Sequence, residues 1–142
     1  MAQVTATAQR TIEAPAEAVS TALGDYEKVR PTILTEHYSD YRTEPDGRVH
    51  WTLAATSKRV RDQLVTVERP DAATIVERDA NSSMVSTWTV TSEGTHRSTV
   101  RVVTTWNGAG GIGGFFERTF APKGLRRIHE GVLANLDGAV RG

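Results

Sequence analysis

The stretch Asn107-Gly-Ala-Gly-Gly-Ile-Gly-Gly-Phe-Phe-Glu-Arg-Thr-Phe-Ala-Pro-Lys-Gly-Leu-Arg-Arg-Ile-His-Glu-Gly-Val-Leu-Ala-Asn-Leu-Asp-Gly-Ala-Val140 decides how the chain is read. Its glycines close a β-rich region, and a long helical pattern follows. Ile112, Phe116 and Phe120 recur four residues apart, and Leu125, Ile128, Val132, Leu136 and Val140 continue at steps of three and four, which makes one apolar stripe. A stripe of that length needs a partner surface, and the alternating segments before it supply one. The spacing therefore predicts an α+β fold with the helix lying as a lid across a curved antiparallel sheet. Pro122 and Gly124 predict a kink, or a division of the helix into two pieces.

Working back toward the N-terminus, residues 3–13 alternate, with Val4, Ala6, Ala8 and Ile12 on one side and Thr5, Thr7, Gln9 and Thr11 on the other, as in a strand with one buried face. Pro15 suits the first position of a short helix, whose apolar face is Ala16, Val19, Ala22 and Leu23 and whose stop is Gly24. A second short helix is predicted from Asp25 as N-cap to the neighbourhood of Pro31. Six further strands follow at about 33–44, 48–56, 58–69, 73–80, 83–92 and 96–106. They are joined at Pro45-Asp46-Gly47, Pro70-Asp71, Asn81-Ser82 and Glu93-Gly94, short polar turns that connect antiparallel neighbours. Alternation places Met84, Trp88 and Val90 on one face, Val100, Val102 and Trp106 on one, and Val49, Trp51 and Leu53 on one. All three tryptophans thus fall on apolar faces.

The 142 residues show no composition shift and fit one domain over 1–142. Lys plus Arg equals Asp plus Glu at 17 each, so no net field favours nucleic acid or an anionic membrane. With no cysteine, disulfides, thiolate metal sites and a Cys nucleophile are excluded. No apolar run reaches the ~20 residues of a membrane span, and the N-terminus lacks the pattern of a signal peptide, so a cytoplasmic location without membrane insertion is expected.

The order of strand, two short helices, six-strand meander and long C-terminal helix resembles the helix-grip fold of the START-like, polyketide cyclase/dehydrase (SRPBCC) superfamily, across nearly the whole chain. Arg10-Thr-Ile-Glu-Ala-Pro-Ala-Glu-Ala-Val19 is similar to its first strand running into its first helix. Lys28-Val-Arg-Pro-Thr-Ile-Leu34, His37-Tyr-Ser-Asp-Tyr41, Glu77-Arg-Asp-Ala-Asn-Ser-Ser-Met84 and Gly108-Ala-Gly-Gly-Ile-Gly-Gly-Phe-Phe-Glu-Arg118 resemble an actinobacterial-type subgroup. The resemblance implies a seven-stranded curved antiparallel sheet gripping the helix. It does not choose among the lipid carriers, receptors, cyclases and hydrolase-like enzymes built on that scaffold.

Gly108-Ala-Gly110-Gly-Ile-Gly113 matches G-x-G-x-x-G between a strand and a helix, yet no parallel strand carrying a ribose-binding acid follows it and no Gly-Lys-Ser/Thr is present. The glycines are read as a tight turn and a gate. No two of His37, His50, His96 and His129 have a local metal spacing, and His129-Glu130 lacks the second His of H-E-x-x-H, so neither a metal nor a cofactor is expected. His96 is expected at the surface. His37 and Tyr41, four residues apart on one predicted strand face, are candidate polar groups of a pocket. Glu77 and Asp79 point one way and Arg78 the other, and a salt-bridged rim is the expected role of this group. Lys58-Arg59-Val60-Arg61 and Lys123-Gly-Leu-Arg126-Arg127 lack interleaved aromatics and are read as solvated faces, which argues against nucleic acid as a partner.

Trp51, Trp88, Trp106, Phe115, Phe116 and Phe120 read as core from the residues alone; with the family resemblance, some of them are expected to line a cavity. The leading expectation is a binding protein for an apolar or aromatic small molecule, lipid or polyketide-like, held between sheet and C-terminal helix. Trp51, Trp88, Trp106, Phe116 and Phe120 would form its walls, and His37, Tyr41 or Arg78 would orient it. The alternatives are a cyclase or dehydrase using such a group for proton transfer, and a regulatory protein acting through a basic patch.

Overall fold

The computed structural model describes residues 3–57, 59–107 and 122–141. Those residues form β1 (Gln3–Ile12), α1 (Ala16–Leu23), α2 (Arg30–Ile33), β2 (Tyr38–Thr43), β3 (Val49–Thr56), β4 (Arg59–Asp71), β5 (Thr74–Asp79), β6 (Val85–Ser92), β7 (Ser98–Asn107) and α3 (Pro122–Arg141). The strands make one curved seven-stranded sheet in the order β1-β7-β6-β5-β4-β3-β2, antiparallel throughout. Strands two to seven are a meander, and the first strand closes against the last. The helices cover one face, as the expected helix-grip architecture requires.

Several local readings are corrected. Pro31 does not end the second helix. It lies in the first turn of α2, where its missing N–H is not needed and its fixed φ suits the helix. Asp25 is not the cap of α2; its carboxylate accepts the backbone N–H of Lys28 in the preceding turn. The strand expected from residue 33 begins at Tyr38 because α2 and the following turn occupy the start of that stretch. The turn expected at Pro70-Asp71 falls at Ala72-Ala73, and the pairing of β4 with β5 slips between Glu68 and Asp71, a place where a residue without an N–H is tolerated. Pro122 is the first described residue of α3, which continues through Gly124 to Arg141 as one helix; the residues before Pro122, on which a kink or division there would depend, lie outside the described residues. The glycine run and the stretch carrying Phe116 and Phe120 lie outside the described residues.

The alternation expected in the strands holds: Val49, Trp51, Leu53, Met84, Trp88, Val90, Val100, Val102 and Trp106 are all buried. They meet Leu125, Ile128, Val132, Leu133 and Leu136 of α3. Each fully buried Leu or Val contributes roughly 1.5–3 kcal/mol. Gly131 lets α3 approach the segment after α2, since a Cβ there would lie 2.8 Å from Thr35 Cγ2. Asn135 Nδ2 donates to the Ile33 carbonyl at 2.9 Å, fixing α2 against α3.

The strand registers sort the inner face into rungs. Ile75, Trp88, Val102 and Ala8 pair in sequence across β5, β6, β7 and β1, and two residues along the strands Glu77, Ser86, Thr104 and Ala6 pair in the same way. The first rung belongs to one apolar cluster and Ala6, Met84 and Trp106 belong to the other. A polar rung therefore runs between two apolar halves of the core, beneath the middle of α3.

Candidate functional site

The polar rung is completed from the helical layer. Arg30, 2% exposed, comes down from the start of α2. Its Nε donates to the carbonyl of Leu23 at 2.9 Å, satisfying an orphan carbonyl at the end of α1, and Nη2 donates to Glu77 Oε2. The guanidinium lies over two rings, 4.6 Å from the centroid of Tyr26 and 4.9 Å from that of Trp88. Tyr26 Oη donates to Glu77 Oε2 at 2.5 Å and Trp88 Nε1 donates to Glu77 Oε1 at 2.8 Å. Both carboxylate oxygens are thereby occupied. The charge of this buried pair is cancelled and hydrogen-bonded internally, which such a pair needs in order to survive away from water.

Burial works against the Arg30 charge, but the Glu77 carboxylate beside it outweighs that penalty and raises its pKa. Burial, then the Glu77 carboxylate, push the Tyr26 and Tyr38 phenols far above their ordinary range. Tyr26 is consequently a permanent donor.

From α3, His129 completes the group. Its Nε2 shares a hydrogen bond with Thr104 Oγ1 at 2.8 Å, and Thr104 Oγ1 shares one with Ser86 Oγ at 2.7 Å. The ring meets Trp88 edge to face at 5.8 Å. Burial, with the Arg30 charge adding to it, pulls the imidazole pKa down from 6.5 to about 4. His129 is therefore neutral at pH 7, and among the described residues its Nδ1 finds no hydrogen-bond partner.

Arg30, Glu77, Ser86, Trp88 and His129 surround a chamber lined also by Leu34, Tyr38, Trp51, Gln63, Met84 and Val132, with a volume of about 20 Å³. That is room for about one water molecule or one small polar group. A second, open concavity of about 610 Å³ lies outside, between α1 and the end of α3, lined by Ala18, Ala22, Asp25, Val29 and Val140 among others. It is larger, but it lacks the convergent buried polar groups of the chamber.

Of the eight residues expected at a site, Trp51 and Trp88 line the chamber. Trp51 donates its Nε1 to Gln63 Oε1 at 2.7 Å. Trp106 is buried in the apolar half beside it. Tyr41 stacks on Trp51, with centroids 6.3 Å apart, and donates to the Tyr26 carbonyl at 2.5 Å; burial pushes its phenol up to about 12. His37 precedes β2 and binds Thr35 Oγ1 through Nδ1 at 3.0 Å. It shares no strand face with Tyr41, because pairing shifts between Ser39 and Arg42, where Asp40 takes a positive φ of 52°. Arg78 points to the outer face, where Nε meets Glu68 at 2.9 Å. Phe116 and Phe120 lie outside the described residues.

Glu77 and Asp79 are interior, not rim as expected. Asp79 is used in the turn after β5, accepting the N–H groups of Leu64 and Asn81 and the Ser82 hydroxyl. Arg30, Tyr26, Ser86, Thr104 and His129 were not among the expected site residues. His129 nevertheless falls on the stripe of Leu125, Val132 and Leu136, where a polar residue facing the core signals a partner. Among the described residues no group of three or more His, Asp or Glu side chains is arranged to hold a metal ion.

Comparison with known proteins agrees with this architecture. Residues 1–141 match the family described as polyketide cyclase / dehydrase and lipid transport. The chain belongs to that family. The solution structure of the KanY protein is 50% identical over 100% of both chains, with a TM-score of 0.88. The Zhui aromatase/cyclase from Streptomyces sp. R1128 is 15% identical over 99% of this chain and 94% of its own, with a TM-score of 0.71. A START superfamily protein from Mycobacterium smegmatis is 12% identical over 96% and 97%, with a TM-score of 0.70. At these last two identities the likeness is one of fold. No curated protein matches the chain. No helix among the described residues is long and apolar enough to cross a membrane.

Two outcomes follow from the buried charges. Glu77→Gln leaves Arg30 uncompensated and is expected to lower unfolding free energy by about 3–5 kcal/mol in urea titration. Arg78→Ala, which breaks only an exposed pair, is expected to cost under about 1 kcal/mol. Equal effects would contradict the placement of the two residues. His129 gives the second outcome. Above pH 6.5 it is neutral in both folded and unfolded chains; between 6.5 and 4 only the unfolded chain takes up the proton, so stability falls as pH falls through that window. The loss should approach about 3 kcal/mol near pH 4. In His129→Leu the slope of unfolding free energy against pH should flatten there, and an unchanged slope would contradict a buried neutral imidazole.

Proposed function

We propose that this family member is a cytoplasmic binding protein for an apolar or aromatic small molecule, lipid or polyketide-like, held between the sheet and α3. The observation that carries the reading is the polar rung: Arg30, Glu77, Ser86 and His129 converge on a chamber between the apolar halves of the core, and Thr104 bridges Ser86 to His129. A purely structural core gains nothing from one unsatisfied imidazole nitrogen, whereas a recognition site combines apolar walls with a few fixed polar groups. The family supports a hydrophobic ligand.

The chamber at 20 Å³ accepts only the tip of such a molecule. Binding of the remainder widens it at Leu34 and Tyr38, which line it and are only half-buried, at the junction of α2 and β2. Wall movement of this kind is an ordinary cost of ligand entry, offset by apolar surface removed from water at ~25 cal/mol per Å².

Native mass spectrometry of freshly purified protein tests the reading. A small molecule is expected to be retained and to be released with its mass unchanged on unfolding. Val132→Phe, which crowds the chamber, should lower retention at least ~10-fold at a stability cost of ~1–3 kcal/mol. Ala18→Phe in the outer groove should leave retention unaltered. Retention lost in Ala18→Phe and kept in Val132→Phe would move the site to the groove; no retained molecule, together with no stabilisation by any added apolar compound, would overturn the binding role.

A further inference from the structure

We infer that His129 Nδ1 reads an uncharged oxygen of the ligand, a hydroxyl or a carbonyl, and that the chamber discriminates against anions. The inference rests on the binding role proposed above and names the chemical class that role would serve.

The polar groups at the chamber divide into satisfied and unsatisfied ones. Around the chamber Glu77 accepts from Tyr26, Trp88 and Arg30, and Gln63 accepts from Trp51. His129, 4% exposed, is different: Nε2 is engaged by Thr104, and Nδ1 has no partner among the described residues. An unpaired buried polar atom is unfavourable until something pairs with it. The chamber's volume of about 20 Å³ suits one oxygen-bearing group.

The chain Ser86–Thr104–His129 makes that atom adaptable. When Nε2–H donates to Thr104 and Thr104 donates to Ser86, Nδ1 is an acceptor and pairs with a ligand hydroxyl. When Ser86 donates to Thr104 and Thr104 donates to Nε2, Nδ1 carries the hydrogen and pairs with a ligand carbonyl. Rotation of two hydroxyls and a change of tautomer convert one state to the other with no net charge.

Charge selection follows from the pairing of Arg30 with Glu77. Their charges cancel, and Tyr26 and Trp88 complete the carboxylate's bonds, so neither ion is left to offset a second buried charge. An anionic ligand would face the Glu77 carboxylate, and the Arg30 charge that could offset it is already paired. A neutral oxygen meets no such cost.

Three probes of one shape separate these terms: 2-naphthol, 2-methylnaphthalene and 2-naphthoate, titrated by calorimetry. The wild-type protein is expected to bind 2-naphthol roughly fivefold more tightly than 2-methylnaphthalene, the size of one net hydrogen bond, and 2-naphthoate more weakly than either. His129→Phe should abolish the preference for the hydroxyl while keeping 2-methylnaphthalene within about threefold of its wild-type affinity. The wild type gives a check independent of that variant's folding: the Nδ1 nitrogen resonance of His129 should move on addition of 2-naphthol and stay in place with 2-methylnaphthalene. If the two neutral probes bind equally, if Nδ1 does not respond, or if the folded variant keeps the preference, His129 does not read the ligand and the binding role stands. If the three probes bind nowhere on the protein, the binding role and this inference fall together.

Discussion

Arg30 and Glu77 meet inside the core, and the relation of helices to sheet depends on that contact. The guanidinium closes the end of α1 through the Leu23 carbonyl, starts α2, covers the faces of Tyr26 and Trp88, and reaches the carboxylate on β5. Three elements are tied by one side chain. Glu77 in turn holds Tyr26 and Trp88 by their polar edges, so the orientation of the aromatic wall is set by the same carboxylate. Burying two charges is unfavourable by several kcal/mol per ion before pairing, which makes the arrangement stable only when every partner is present.

Such a centre is a poor way to gain stability alone, because well-packed apolar residues in the same space serve as well or better. Its value lies in geometry. The register of β5, β6 and β7 sets Glu77, Ser86 and Thr104 side by side, and α3 places His129 above the last of them. The helix is held at that height by the close approach at Gly131 and by the bond from Asn135 to Ile33. Rigid elements therefore present one polar row to a chamber whose remaining walls are apolar. The family to which the chain belongs is described as polyketide cyclase / dehydrase and lipid transport, and one scaffold can carry such different roles because function lives in the residues of the site.

Much of this architecture is legible in the sequence. Alternation assigned the buried faces of β3, β6 and β7, and three-and-four spacing assigned the stripe of α3, because both depend on side-chain direction along one element. The site was less legible because it depends on pairs far apart in the chain. Arg30 and Glu77 are 47 residues apart, and a lone charge at either position reads as surface until its partner is known. The polar rung did leave a trace: the inward-facing series carry polar residues at Glu77 in β5, Ser86 in β6 and Thr104 in β7, and the antiparallel register aligns these three. His37 and Tyr41 misled for the opposite reason. Equal spacing implies a common face only along a regular strand, and the irregularity at Asp40 removes that regularity.

Intermolecular nuclear Overhauser effects between a bound apolar compound and assigned protein side chains address the location of the site directly. Contacts to the Trp88 indole, the His129 ring, Leu34 and Val132 are the result expected of a ligand held between sheet and α3. Contacts confined to Ala18, Ala22, Val29 and Val140 would place the ligand in the outer groove and contradict a binding centre built on the polar row.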